Sequence, residues 1–330
     1  MNERSPVQMS KPQQTRPAEN VSGWIEAGLY VFAVAVLSVM NAFAVAHGAH
    51  PIVFILYSLL IAAAGMLAIT GLGDEPVRIM LSPMSWLVGI GAILVEVGFC
   101  LALTSLSPAE GSLSLRLSIP MAIVLGWMTF RRSPGVGVWL GAAIILLGVG
   151  TLVVIVDLGT QAVGLLYGTI AAAAICLRSF AAEFHPWNRA ARSVFEKMRV
   201  TGLVVLVTGI AGLLLVGLAA ALVGGGLIDR SDLAPAPSDL SHWPTMVMAL
   251  FLGGIVFTSM NYLQFSSVVK IQTENFIATS AFMPLATLLL QSVAVALGII
   301  EAAVFDWRLL PGILLAMAGV TVLIAYGRKR

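Results

Sequence analysis

The chain carries very little charge for its length. Of its 330 residues, 18 are Lys or Arg and 16 are Asp or Glu, so 10% are charged, whereas 59% are hydrophobic. A soluble domain is about 25% charged. So much apolar surface excludes a water-soluble enzyme, and the same composition excludes a disordered chain and a coiled coil. The net charge of +2 gives no reason to expect nucleic acid as a partner.

Cysteine is also scarce, and the common catalytic motifs are absent. Cys100 and Cys176 lie within apolar runs, which argues against a four-ligand metal site and a disulfide framework. The sequence contains no GxxxxGK[ST] phosphate loop, no GxSxG and no HExxH. We therefore expect no cofactor, no metal and no enzyme activity.

What the sequence has instead is a series of long apolar runs. A helix that crosses a bilayer needs about 20 mostly apolar residues. Four charged residues lie inside such runs, namely Glu26, Glu96, Arg116 and Arg178, and the other charges lie outside them. This distribution predicts an all-α integral membrane protein with ten transmembrane helices: 24–46, 51–71, 84–105, 111–130, 137–156, 162–182, 200–224, 246–268, 275–299 and 309–327.

The positions of lysine and arginine predict the orientation. With the N-terminus in the cytoplasm, the inner segments hold fourteen Lys and Arg, and the outer loops hold only Arg230 and Arg308. Cytoplasmic loops carry an excess of these residues, so both termini are predicted to be cytoplasmic, in a plasma or inner membrane. Residues 1–23 are predicted to be a disordered cytoplasmic tail, and residues 328–330 a basic cytoplasmic C-terminus.

The two halves of the chain share a pattern of glutamate and proline. Glu110 and Pro120 are ten residues apart at the start of the predicted fourth span, and Glu274 and Pro284 have the same spacing near the ninth. Repeats of this kind are an early guide to architecture.

A glycine pattern in the fifth and tenth spans supports the same repeat. Gly141–Val149 and Gly312–Val320 each contain two glycines seven residues apart, and valine follows the second glycine. Because each set contains five spans, an odd number, the second set runs through the membrane inverted. We predict two inverted five-helix repeats, at 24–156 and 157–327, which is an architecture of secondary transporters.

The order of these motifs resembles that of an EamA-type member of the drug/metabolite transporter superfamily. The resembling elements are Ile119-Pro120, Met283-Pro284, the two glycine runs and Glu301. The resemblance covers about residues 24–327. It implies ten helices in two inverted repeats, with a cavity lined by helices 3, 4, 8 and 9. Two departures concern the subfamily and its substrate: Arg131-Arg132 stands where a Glu often follows helix 4, and Ser58 stands where some members have an Arg.

The charges inside the predicted spans are candidates for function, because a charge at the bilayer centre costs about 2.5–3.5 kcal/mol. Glu96 and Arg116 lie at similar depth on neighbouring helices, so we expect them to pair if they share a face. The pair either locks the hairpin or lines a cavity, where Arg116 holds a carboxylate and Glu96 holds an amine or a coupling proton. Arg178 lies nearer a helix end, where its stem is expected to snorkel to the interface.

Proline within the predicted spans exposes backbone acceptors. Pro120 cannot donate to the carbonyl of Arg116, and Pro284 cannot donate to that of Ser280. Such breaks are tolerated where they face protein or a wet cavity. We predict that Ser280 belongs to the substrate site and that both prolines are hinges. A kink used only for packing is the alternative.

Uncharged polar residues complete the set of candidates. Asn261 and Gln264 are three residues apart and share a helix face, with Tyr262 beside them, and Asn41 and Tyr57 are single polar groups in helices 1 and 2. Each is a candidate for substrate binding. Hydrogen bonding between helices explains each of them equally well.

The sequence therefore predicts a secondary-active transporter of a small polar organic metabolite, such as an amino acid or an amine, with export by alternating access around a midplane cavity. An uptake permease or an exporter of amphipathic drugs is the alternative within transport, and an intramembrane lipid-handling enzyme is the alternative from another class. The expected partners are a small-molecule substrate and the lipid bilayer, and a homo-oligomer is left open.

Overall fold

The computed structural model describes residues 17–131, 133–301 and 306–327, and the described chain is all-α. A 3₁₀ turn (Leu115–Leu117) joins α5 to α6, and a π-helix (Leu252–Phe257) joins α12 to α13. The helices are α1 (Pro17–Ala46), α2 (Pro51–Thr70), α3 (Pro76–Met80), α4 (Pro83–Ala102), α5 (Pro108–Ser114), α6 (Ser118–Phe130), α7 (Val136–Ile155), α8 (Ala162–Phe184), α9 (Pro186–Ala190), α10 (Val194–Gly224), α11 (Pro237–Leu240), α12 (Trp243–Phe251), α13 (Thr258–Ser280), α14 (Met283–Ala296) and α15 (Leu309–Gly327).

Nine helices in the described part of the chain are long and apolar enough to cross a membrane. They correspond to nine of the ten predicted spans, with α5, the 3₁₀ turn and α6 counted as one and α12, the π-helix and residues up to 271 as another. The protein is therefore a multi-pass membrane protein by the length and composition of its helices. The many apolar side chains on the outside of the bundle, such as Leu147 and Leu214, fit a lipid environment.

The predicted ninth span, 275–299, has different boundaries in the structure. Helix α13 continues without a break to Ser280, through the region between predicted spans 8 and 9, and the separate apolar helix α14 has 14 residues. Pro284 explains the position of the break. It lies in the first turn of α14, where its missing N–H has no intrahelical partner to lose. Pro284 therefore starts a helix and does not interrupt one.

Other predicted boundaries also shift. The predicted tail (1–23) lies outside the described residues up to residue 16, and residues 17–23 are helical, in α1. The predicted C-terminal segment 328–330 and Arg132 also lie outside them. In the predicted inner loop, α10 begins at Val194, six residues before the expected span, because Ser193 accepts a hydrogen bond from the Glu196 N–H as its N-cap.

Glycine sets the closest helix contact. A Cβ on Gly141 would lie 2.7 Å from the Gly319 carbonyl oxygen, and a Cβ on Gly148 would lie 2.6 Å from the Gly312 carbonyl oxygen. Helices α7 and α15 therefore cross antiparallel with their backbones in contact. Small residues allow this approach between membrane helices, where packing replaces the hydrophobic effect.

We predict that Gly148→Ala destabilises the protein and that Gly150→Ala on the same helix does not. A Cβ on Gly150 meets no atom within 4 Å, so alanine there keeps or improves helix propensity. Overpacking at Gly148 costs about 1–3 kcal/mol. Thermal unfolding of the two variants in one detergent measures the difference, and equal unfolding temperatures would contradict the proposed backbone contact.

A buried histidine anchors the inner loop. His185 follows α8, and its Nε2 lies 2.9 Å from the Ser85 Oγ, while its Nδ1 accepts a hydrogen bond from the Asn188 N–H (3.4 Å). Ser85 donates its own proton to the Ile79 carbonyl (2.6 Å). The ring is therefore neutral with its proton on Nε2. Burial lowers the pKa of His185, because the charged ring is disfavoured away from water.

This pKa predicts how stability depends on pH. A histidine with a native pKa below the ordinary value of about 6.5 stabilises the fold above that value and loses this contribution as the pH falls. As the pH is lowered from about 7.5 to about 5.5, the unfolding temperature should therefore fall less steeply for His185→Gln than for the wild type. His47→Gln, at an exposed histidine, is the matched control. A slope unchanged in His185→Gln would refute the prediction.

Candidate functional site

The fourth span is a broken helix. A capping box starts α5, in which the Ser107 N–H donates to the Glu110 carboxylate (2.7 Å) and the Glu110 N–H donates to the Ser107 Oγ (3.4 Å). Glu110 therefore caps the N-terminus of α5. Ahead of Pro120 the helix tightens into the 3₁₀ turn. The proline removes the usual N–H donor to the Arg116 carbonyl, and local 3₁₀ geometry is a known response to such a loss.

Helices α5 and α14 are linked by hydrogen bonds from one end to the other. The Ala109 N–H donates to the Gln291 Oε1 (2.9 Å), and the Arg116 guanidinium reaches the Ser280 carbonyl (3.2 Å) and the Met283 Sδ (3.3 Å). Residue numbers increase along the first segment, from 109 to 116, while those of the hydrogen-bonded residues decrease, so the two segments are antiparallel. These hydrogen bonds hold the 3₁₀ turn of the fourth span against the junction between α13 and α14.

Arg116 is thus committed to the protein backbone. It is buried, and besides Ser280 it donates from Nε to the Ser112 carbonyl of its own helix (3.5 Å). The carbonyl of Ser280, expected to face a substrate, instead accepts from Arg116. Because a guanidinium presents several fixed donors, it can satisfy two segments of broken helix at once.

The expected ion pair between Glu96 and Arg116 does not form. Both residues are described, and no carboxylate oxygen of Glu96 lies within 4.0 Å of the Arg116 guanidinium. The geometric reason is that Arg116 points to α13 and α14. Glu96 has 8% of its surface exposed, and within the described chain its carboxylate makes no hydrogen bond.

Arg178 packs the first atoms of its side chain against a neighbouring helix. Its Cβ would lie 3.0 Å from a Cβ on Gly91 of α4, so its stem packs against the neighbouring helix. The side chain is half-buried and makes no hydrogen bond or ion pair with a residue that the structure describes. Glu96 of α4, Arg178 of α8 and Tyr30 of α1 are titratable residues on three neighbouring helices, and we call these three residues the interior charge group.

The other predicted site residues are scattered. Asn41 is fully buried and neither side-chain atom has a partner. Asn261 donates to the Phe257 carbonyl of its own helix (2.9 Å), and the half-buried Gln264 makes no side-chain hydrogen bond to the described residues. Tyr262 is 39% exposed, and Tyr57 donates to the Leu240 carbonyl (2.7 Å). In the described part of the chain, none of these side chains forms a hydrogen bond with Glu96.

The sequence analysis missed two features of this region. Tyr30 was not singled out, because one tyrosine in a first span gives no signal by itself. The π-helix was also missed, although Gly253 and Gly254 mark it. A Cβ on Gly253 would overlap the Ser58 carbonyl oxygen, and Thr258 Oγ1 donates to the Gly253 carbonyl five residues earlier (3.0 Å). Such π-segments are frequent at functional sites.

Two cavities open at opposite ends of the bundle. One, of about 370 Å³, is lined by His50, Thr104, Arg230 and Asp232 among others. The second, of about 210 Å³, is lined by residues near the other ends of the helices, including Glu75 and Arg199. The interior charge group lines neither cavity.

Comparison with known proteins gives the fold alone. No protein-family model matches the chain, and no curated protein matches it. Solved structures do match, and one of them, described only as a crystal structure of a protein, is 18% identical with a TM-score of 0.54. The match covers 95% of this chain and all of the other chain. The whole fold is therefore shared with a solved protein.

We predict that Arg116→Met destabilises the protein by about 1–3 kcal/mol, since it removes the donor to a backbone carbonyl at a helix break. Arg116→Lys keeps the charge but not the forked geometry, so it should fall between. Arg78→Met is the control, because the side chain of Arg78 is 72% exposed and surface changes cost little. Thermal unfolding in detergent measures the stability of all three variants. If Arg116→Met unfolds at the same temperature as Arg78→Met, the stabilising role of the Arg116 hydrogen bonds is disproved.

Proposed function

We propose that the chain is a secondary-active transporter of a small polar organic metabolite, working by alternating access, with export as the favoured direction. The observation that carries the proposal is the interior charge group. A carboxylate deep in an apolar bundle, with no hydrogen bond to the described residues, is costly in a membrane. Such residues mark substrate or proton pathways in membrane proteins.

Two sets of contacts support the inverted repeat that this mechanism needs. In the proposed repeat, Gly141 corresponds to Gly312 and Gly148 to Gly319, and the observed contacts join Gly141 to Gly319 and Gly148 to Gly312. A two-fold axis in the membrane plane produces this reciprocal pattern.

The second set of contacts has the same property. In the proposed repeat Arg116 corresponds to Ser280, and the two are joined by a hydrogen bond (3.2 Å). Equivalent residues meet each other where they lie close to a two-fold axis. We therefore propose ten spans in two inverted five-helix repeats of the EamA type, with α14 and the end of α13 as the ninth. Both termini are placed in the cytoplasm of a plasma or inner membrane by the excess of inner Lys and Arg.

Contacts at both ends supply the closures that alternating access requires. Lys270 forms an ion pair with Glu26 and a hydrogen bond with the Ser22 Oγ (2.9 Å), which joins α1 to α13. At the other end, the Tyr57 hydroxyl holds Leu240 of the long loop before α12. In the proposed cycle one closure opens while the other holds, and the breaks before Pro120 and Pro284 supply the bending.

We predict that Glu96→Gln folds normally but loses substrate flux by at least about tenfold, because it removes the only interior carboxylate of the proposed site. The measurement is counterflow in liposomes with labelled amino acids and amines, with and without a pH gradient. Glu75→Gln, at an exposed carboxylate, is the control. Wild-type flux in Glu96→Gln would remove Glu96 from the mechanism, and lipid turnover without flux in the wild type would favour an enzyme.

A further inference from the structure

The segment between α10 and α12 is fastened across one end of the bundle by two side chains. We call residues 225–242 the outer loop, because the proposed topology places them outside. Nε2 of His50, the residue before α2, lies 2.9 Å from the Ser231 carbonyl oxygen of this loop. The Tyr57 hydroxyl of α2 donates to the Leu240 carbonyl (2.7 Å). Because these partners are 181 and 183 positions apart in sequence, both hydrogen bonds are tertiary contacts that hold the loop in place.

The His50 ring fits its place in this contact only as a neutral group. A carbonyl oxygen can only accept a hydrogen bond, so Nε2 carries the proton. The side chain is 5% exposed, and its Nδ1 is buried with no hydrogen-bond partner in the described chain. A second proton on the ring would bury an N–H donor without an acceptor, together with a full positive charge, and both are costly. The closed loop therefore favours the neutral ring.

A cavity beside His50 gives a charged ring a favourable place to go. This cavity of about 370 Å³ is lined by His50 and by residues 230–232 of the outer loop, among others. Arg230 donates two hydrogen bonds to the Asp239 carboxylate (2.9 and 3.0 Å), so its charge is compensated. Asp232 is exposed and makes no hydrogen bond or ion pair with the residues that the structure describes. A protonated ring that leaves the Ser231 carbonyl therefore has water and a carboxylate available.

The other polar side chains around His50 do not offset this preference. His47 lies in the same turn between α1 and α2, but it is exposed and its Nδ1 lies 2.8 Å from the Phe43 carbonyl oxygen. Thr104, which follows α4 and lines the cavity, has no charge and donates to the Leu101 carbonyl (2.8 Å). The uncompensated charge at the cavity is thus negative, and it favours protonation of a released ring.

We propose that His50 is a proton-sensitive latch, whose neutral ring holds the outer loop closed and whose protonation releases it. The inference rests on the proposed transport function, in which this loop forms one of the two closures. Acid in the outer compartment then favours the state that is open to the outside. This direction suits an exporter that exchanges its substrate for protons.

The size of the effect follows from the linkage between proton binding and loop opening. A solvent-exposed histidine has a pKa of about 6.5, so its neutral fraction falls about tenfold between about pH 7.5 and about pH 5.5. The closed loop accepts only the neutral ring, so the closed state binds fewer protons than the open state. The ratio of open to closed molecules therefore rises by about tenfold over this range as the pH falls.

Distances between two spin labels measure the position of the loop directly. The full-length protein in lipid nanodiscs carries one label at Leu233→Cys in the outer loop and one at Leu158→Cys, between α7 and α8. Both leucine side chains are exposed, so the labels disturb the fold little. The native Cys100 and Cys176 are buried, which directs labelling to the introduced sites. Pulsed electron paramagnetic resonance then gives the distance distribution at about pH 7.5 and about pH 5.5.

The comparison uses three variants beside the wild type. In the wild type a second distance population should grow about tenfold relative to the first as the pH falls. His50→Gln keeps an N–H donor for the Ser231 carbonyl but cannot gain a charge, so it should stay closed at both pH values. His50→Ala removes the donor and should show the second population at both pH values. His47→Gln, at the exposed histidine of the same turn, is the matched control and should respond as the wild type does.

Three results would overturn the proposal. If the wild-type distances do not change with pH, the loop has no proton-sensitive latch. If His50→Gln responds to pH as the wild type does, another group senses the proton. If His50→Ala keeps the closed distance, the hydrogen bond to Ser231 does not hold the loop. Failure of the transport function has a different signature, since a loop that opens in acid without any flux in liposomes would leave the latch intact.

Discussion

The arrangement depends on satisfying backbone carbonyls where two membrane helices are broken. Pro120 removes the regular donor to the Arg116 carbonyl, and α13 ends shortly before Pro284 starts α14. No water is available in a bilayer core to satisfy the carbonyls left at these breaks. Arg116 meets this need for the second break, because its guanidinium donates across to Ser280 while also holding its own helix at Ser112. A residue that the sequence presents as a free charge is therefore part of the backbone hydrogen bonding.

The glycines impose a second constraint that acts together with the first. Helices α7 and α15 approach until their backbones touch at Gly148 and Gly312, and α4 approaches α8 at Gly91 and Gly98. Close packing of this kind is rigid. The proline breaks and the π-helix interrupt regular helix outside these contacts. The proposed alternating access would use such breaks for bending.

Much of the fold was predictable from the sequence, because span length and apolar composition follow from the thickness of the bilayer. The capping box of Glu110 was predictable as well, since it depends on residues three apart. The absence of a Glu96–Arg116 ion pair was not. Depth along a helix follows from residue counting, but the direction in which Arg116 points depends on the Ser280 carbonyl of another helix, which accepts a hydrogen bond from it.

Charged side chains are scarce inside the spans, so the buried carboxylate of Glu96 needs a physical explanation. A structural ion pair lowers its energy by closing, since two opposite charges in a low dielectric attract strongly and lose little to water. Glu96 and Arg116 form no such pair, because Arg116 donates to backbone carbonyls of two helices. Glu96 is left buried without a hydrogen bond to the described residues, which is costly inside a membrane bundle. In the proposed transporter, this carboxylate is the group that a proton or a cationic part of a substrate would neutralise.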